Sequence, residues 1–111
     1  MNQVKQLIKE TKKYLTKYDY EKVIELCDKI LEIEPESSFG LEFNGIAHLQ
    51  SGKYMKALKY YEKLYQTKPN ENTKYNIADL NEKIGNYEKA LKCYDKNSEK
   101  KNGFKVKEND Y

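Results

Sequence analysis

The side chains that most often carry catalysis are few here and far apart. A single histidine, His48, has no second histidine or cysteine at ligand spacing, so no bound metal is expected. Neither Cys27 nor Cys93 is followed by a histidine in a setting that would activate a thiolate. Each falls on an apolar position of a separate helix, so both read as small core residues rather than a disulfide. The carboxylates of Glu21, Glu25 and Asp28 recur at helical intervals with Lys22 and Lys29 among them, the pattern of a solvated face laced with ion pairs. No glycine-rich loop is present to cradle a phosphate. A catalytic site needs a nucleophile, or a paired acid and base, in one concavity. These residues do not supply one, so the expectation is no enzyme and no cofactor. Asn44 and His48, one turn apart, read instead as a hydrogen-bonded seam between helices or as partly exposed side chains.

Binding chemistry is bounded by composition. The 111 residues make one domain, with 38% hydrophobic and 35% charged residues, a balance suited to a thin fold with much surface. The net charge is only +3 and every basic residue is lysine. Guanidinium forks read base edges and grip phosphates in pairs, and their absence argues against nucleic acid. No apolar run approaches the roughly 20 residues of a membrane span. The opening MNQVKQLIKE alternates charge with apolar residues and is not a signal peptide, so the expected compartment is the cytoplasm and no membrane contact is foreseen. Charge is unevenly placed: residues 1–17 carry five lysines against one glutamate, and residues 19–36 carry seven acids against two lysines.

The elements that must position any site are set by a repeat. YEKVIELCDKIL from Tyr20, YMKALKYYEKLY from Tyr54 and YEKALKCYDKNS from Tyr87 align, with starts 34 and 33 residues apart. Tyr20, Val23, Ile24, Cys27, Ile30 and Leu31 follow the spacing i, i+3, i+4, i+7, i+10, i+11, as do Tyr54, Ala57, Leu58, Tyr61, Leu64 and Tyr65. That is one stripe of an α-helix and not a strand. A second helix precedes each stripe. Between the two stand turn signals, Tyr18-Asp19, Gly52-Lys53 and Gly85-Asn86, where glycine tolerates positive φ and Asp or Asn can cap the next helix. Pro35 and Pro69 close the first two units, each ending its helix at or before the preceding residue. Thr11, Gly45 and Ala78 recur at the same intervals in the leading helices, where a small side chain lets paired helices approach.

Together these positions resemble the tetratricopeptide repeat, an antiparallel helix pair of about 34 residues. The second unit matches through Gly45, Gly52, Tyr54, Ala57, Tyr61 and Pro69, and the third through Tyr75-Asn76-Ile77-Ala78, Gly85, Tyr87, Ala90 and Tyr94. In the first unit, Glu10 falls at a position that is apolar in the family. The resemblance covers about residues 4–101. It implies an all-α, right-handed α-solenoid of three antiparallel helix hairpins, with units about 4–35, 36–69 and 70–101 in a domain of residues 1–101. Residues 102–111 read as a polar tail. At Asn97 and Ser98, followed by Glu99-Lys100-Lys101, the last helix turns polar where the first two stay apolar, as suits an uncovered end of a stack.

The same resemblance places leading helices on an inner, concave face that receives a peptide or protein segment. A carboxylate clamp of the kind some members carry is not recognisable, since there is no arginine and Phe43 stands where the clamp's central asparagine would be. The expected groove residues are Lys5, Lys9 and Lys12 from the first unit, Phe39, Phe43 and Ile46 from the second, and Tyr75, Asn76 and Asp79 from the third. Leu49 and Glu82 extend the second and third sets. An apolar anchor of the partner would meet Phe39, Phe43 and Ile46, with its acidic residues towards the lysines. A shifted helix would instead bury Phe39 and Phe43 in the core, and both readings stand. The implied role is a non-catalytic scaffold, adaptor or co-chaperone-like, for another protein or peptide, as a monomer or weak homodimer. The alternative is a structural module that associates with itself through its stack ends or charged faces.

Overall fold

The computed structural model describes residues 2–86. The expected helix from Tyr87, with Cys93, the polar Asn97–Lys101 end and the tail, lies outside the described residues.

Five helices follow one another along the chain: α1 (Asn2–Thr16), α2 (Tyr20–Ile33), α3 (Ser38–Gln50), α4 (Tyr54–Thr67) and α5 (Glu71–Lys83). Each packs on the next, α1 on α2, α2 on α3, α3 on α4 and α4 on α5. With three- or four-residue connections, consecutive helices run antiparallel, and the described residues form two hairpins and the leading helix of a third. The ends have local causes. Asp19 accepts a hydrogen bond from the Lys22 amide at 3.2 Å, and Ser37 Oγ accepts one from Gly40 at 3.1 Å. Asn70 Oδ1 accepts from the amides of Asn72 at 2.7 Å and Thr73 at 3.2 Å, satisfying two donors that a helix start leaves open. Helices α2 and α4 end two residues before Pro35 and Pro69.

The chain leaves the leading helices α1, α3 and α5 through one backbone solution. Gly52 and Gly85 have φ of 79° and 85°, and at the equivalent place in the first unit Tyr18 has φ of 57°. A side chain there is strained against its own carbonyl, and the Tyr18 ring is 75% exposed, so little packing compensates. Tyr18→Gly is expected to stabilise by about 0.5–1 kcal/mol, relief of left-handed strain exceeding glycine's extra chain entropy. A urea titration checks it: the midpoint should rise with the slope unchanged, and an unchanged or lower midpoint would refute the strain argument.

The core lies between the helix layers in two clusters. One gathers Val23, Cys27 and Ala47, flanked by Tyr14, Leu15, Tyr20, Ile24 and Phe43. The other gathers Leu41, Ala57, Leu58, Tyr61, Leu64 and Leu80. The small residues of the leading helices are where the layers close: Thr11 and Ala78 are fully buried, and a Cβ on Gly45 would lie 3.2 Å from the Tyr61 ring. Burial pushes the Cys27 thiol up to about 12, with Asp28 adding to it, and likewise raises Tyr61 to about 12, with Glu42 contributing. Both groups stay neutral across the physiological range, and Cys27 is a core side chain rather than a reactive one.

Candidate functional site

Two clefts flank the α3–α4 hairpin, and they differ in chemistry. The first opens between the leading helices α3 and α5 and holds about 450 Å³. Ile46 and Leu49 from α3 and Tyr61 and Leu64 from α4 form its floor. Glu42 and Gln50 stand on one rim, and Lys68, Asn72 and Asn76 on the other. Its shape follows from the local sequence. The break at Pro69 and the Asn70 cap end α4 and turn the chain back into α5, which packs on α4, and Asn72 and Asn76 of α5's first turns line the cleft together with α3. Carboxamides carry both donors and acceptors, so this rim can pair with a peptide backbone while the floor takes an apolar side chain.

The expected groove residues are divided among several surfaces. Ile46 and Asn76 line this cleft, and so does Leu49. Phe39 and Phe43 are half-buried, with ring centroids 4.6 Å apart, and Phe43 packs on the first cluster beside Val23, Cys27 and Ala47. The stripe thus parts at Phe43, the aromatic pair leaning to the first hairpin and Ile46 to the third unit. Lys5, Lys9 and Lys12 are all exposed on α1. Tyr75, Asn76 and Asp79 are exposed on α5, where Asp79 pairs with Lys83 at 3.6 Å. Sequence reasoning missed Tyr61, Leu64, Lys68 and Asn72. Their signal lay in the Pro69-Asn70 break, which marks where α4 ends and α5 must turn back.

The second cleft, about 700 Å³, lies between the following helices α2 and α4. Ile24 and Asp28 come from α2, His48 from α3, and Lys53, Lys56, Lys59, Tyr60 and Lys63 from α4 and its start. Beneath it runs the seam expected of Asn44 and His48. Asn44 Nδ2 donates to Asp28 Oδ1 at 2.8 Å, tying α3 to α2. His48 Nδ1 lies 2.8 Å from the Asn44 carbonyl oxygen, which can only accept, so that nitrogen carries the proton. The His48 ring stacks on Tyr60 at 5.3 Å. Burial raises the Tyr60 phenol, with Asp28 and Cys27 contributing.

Among the described residues, no three His, Cys, Asp or Glu side chains converge to hold a metal ion, and no helix is long and apolar enough to cross a membrane.

The comparisons with known proteins agree with this architecture. The family description "tetratricopeptide repeat" matches residues 72–96. Superkiller protein 3 of Saccharomyces cerevisiae is 40% identical over 58 residues, which is 52% of this chain and 4% of that protein. Of solved structures, MamA AMB-1 superposes with a TM-score of 0.78 at 23% identity, covering 93% of this chain and 57% of that one. The Sgt2 TPR domain from Aspergillus fumigatus gives 0.74 at 21% identity, covering 96% and 72%. At those identities the structures speak for the fold alone, and the repeat match and spacing speak for the family. In repeat and in fold, the chain is similar to tetratricopeptide-repeat proteins.

Proposed function

We propose that the chain is a non-catalytic interaction module that receives an extended segment of another protein in the cleft between α3 and α5. The observation that carries this reading is the cleft's division of labour. An apolar floor of Ile46, Leu49 and Leu64 lies beneath a rim of Gln50, Asn72 and Asn76, and the volume suits a few residues of peptide. The half-buried Phe39–Phe43 pair offers a second apolar contact along the same helix, and Lys5, Lys9 and Lys12 favour acidic residues at that end of the partner. The family's general use in protein–protein association supports the class of function, and an adaptor or co-chaperone-like role fits it.

The test starts from a random peptide library selected on the whole chain. Asn72→Arg combined with Asn76→Arg changes two exposed rim positions and narrows the cleft without touching the core. Selected peptides are expected to bind this variant at least about tenfold more weakly, through lost backbone pairing and blocked access to the floor. Phe39→Ala is expected to weaken them by a smaller factor. Peptides that bind the double variant as tightly as the parent would sink the assignment to this cleft.

A further inference from the structure

The second cleft, on the side of the following helices, has a composition unlike the first. Lys53, Lys56, Lys59 and Lys63 all line it, against the two carboxylates of Asp28 and Glu62. The ion pairs among the described residues are Lys22–Glu25, Lys29–Glu25 and Lys83–Asp79, so none of these four ammonium groups has a carboxylate within 4 Å. Asp28, the nearest acid on the opposite wall, is already engaged by the Asn44 amide at 2.8 Å. On α2, by contrast, Lys22 and Lys29 both reach Glu25. Lys53, Lys56, Lys59 and Lys63 therefore repel one another along this wall with Glu62 the one acid among them, whereas α2 carries four acids, Glu21, Glu25, Asp28 and Glu32, against Lys22 and Lys29.

The floor is apolar and aromatic. Ile24 and the half-buried Tyr60 ring form it, with Tyr60 stacked on His48 at 5.3 Å. His48 is 5% exposed, and with Nδ1 committed to the Asn44 carbonyl, its Nε2 has no partner among the described residues. From Lys53 to Gln66 the α4 wall runs about 20 Å at 1.5 Å per residue, the length of an extended segment of about six residues.

We propose that this cleft is a second binding site, for an acidic peptide segment with an apolar or aromatic residue among its carboxylates. The carboxylates meet Lys53 at the start of α4 and Lys56, Lys59 and Lys63 along it, and the apolar residue lies on Ile24 and Tyr60. Spaced carboxylates suit the groove better than a phosphate backbone does. Asp28 and Glu62 interrupt the positive field, and no guanidinium is present to grip phosphates in pairs. The site lies on the face away from the α3–α5 cleft and does not depend on it. One chain could then hold two segments of a partner, or two partners, at once.

The probe is a fluorescein-labelled heptapeptide of six glutamates around a central phenylalanine, followed by anisotropy against the full chain at low salt. Saturable binding is expected, weakening as salt rises. Lys56→Glu with Lys63→Glu should raise Kd by about tenfold or more, whereas Lys5→Glu, Lys9→Glu and Lys12→Glu together should raise it about threefold or less, although they remove more positive charge. Both variants change exposed residues, and far-UV circular dichroism confirms that each stays helical. Three results would overturn the site: no saturable binding, a larger effect from the α1 variant than from the α4 variant, or equal affinity for an oligouridylate of the same charge.

Discussion

Leu41→Ala is expected to destabilise the chain by about 3 kcal/mol, near the middle of the range for truncating a buried leucine. Leu41 is 1% exposed, and its cluster draws on four helices: Leu31 from α2, Ala57, Leu58, Tyr61 and Leu64 from α4, and Leu80 from α5. Most residues of a stacked-repeat fold touch only their own unit and the next, so stability is close to a sum of local terms. Leu41 stands at the start of α3, where the first hairpin hands over to the second. The cavity left there cannot collapse easily, because helices on several sides are held apart by other contacts. The melting temperature should fall by roughly 10–15 °C for a chain of this length. Hydrogen exchange should report the loss in α3, α4 and α5 together. A loss confined to α3, or below about 1 kcal/mol, would show that the units are not coupled through this side chain.

Much of that handover is legible in the sequence, for a simple physical reason. A 34-residue period repeats backbone requirements along with apolar ones. Tyr18, Gly52 and Gly85 share one turn conformation although only two are glycine, and Thr11, Gly45 and Ala78 are all buried. Pro35 and Pro69 stand two residues past the helix ends. The Asn44 and His48 seam could also be read from its place on the apolar side of α3, though the Asp28 partner could not.

The sites are less legible, because periodicity says which side of a helix is covered and not by what. Phe39, Phe43 and Ile46 form one stripe on a helical wheel. Yet α3 has a neighbour on each edge, so Phe43 goes to the Val23–Cys27 cluster and Ile46 to the cleft beside α5. The cleft floor borrows Tyr61 and Leu64 from α4, residues whose spacing announces only core. The lysines of α4 look like an ordinary solvated face until the structure sets them across a groove from Asp28 and over Tyr60. In each case the missing information is the identity of the element opposite, which no single helix encodes.

The same seam supplies a sharper test of how the layers are held. Asn44→Asp keeps the shape of the side chain and replaces its donating NH₂ with an oxygen. Asn44 is fully buried, its Nδ2 lies 2.8 Å from Asp28 Oδ1, and its own Oδ1 has no hydrogen-bond partner among the described residues. At neutral pH the variant would press two carboxylates together, one of them out of water, and Asp28 has no ion-pair partner among the described residues to offset them. Leaving a buried charge uncompensated in this way costs about 3–5 kcal/mol. Protonation relieves the cost, since a carboxylic acid can donate to Asp28 as the amide did. The introduced carboxyl therefore has a folded-state pKa above its unfolded value near 3.9. Between those two values the folded state holds the extra proton, so stability falls as pH rises through that window and is regained below it. Urea titrations at about pH 4 and pH 7.5 should show the variant approaching the parent at the lower value, since each pH unit separating the folded and unfolded pKa is worth about 1.4 kcal/mol. Asn44→Leu fills a similar volume without charge, frees Asp28 to bind water at its exposed edge, and should cost about 1 kcal/mol or less at both pH values. If the aspartate and leucine variants lost equal stability at neutral pH, the seam would be a matter of packing rather than of hydrogen bonding and charge.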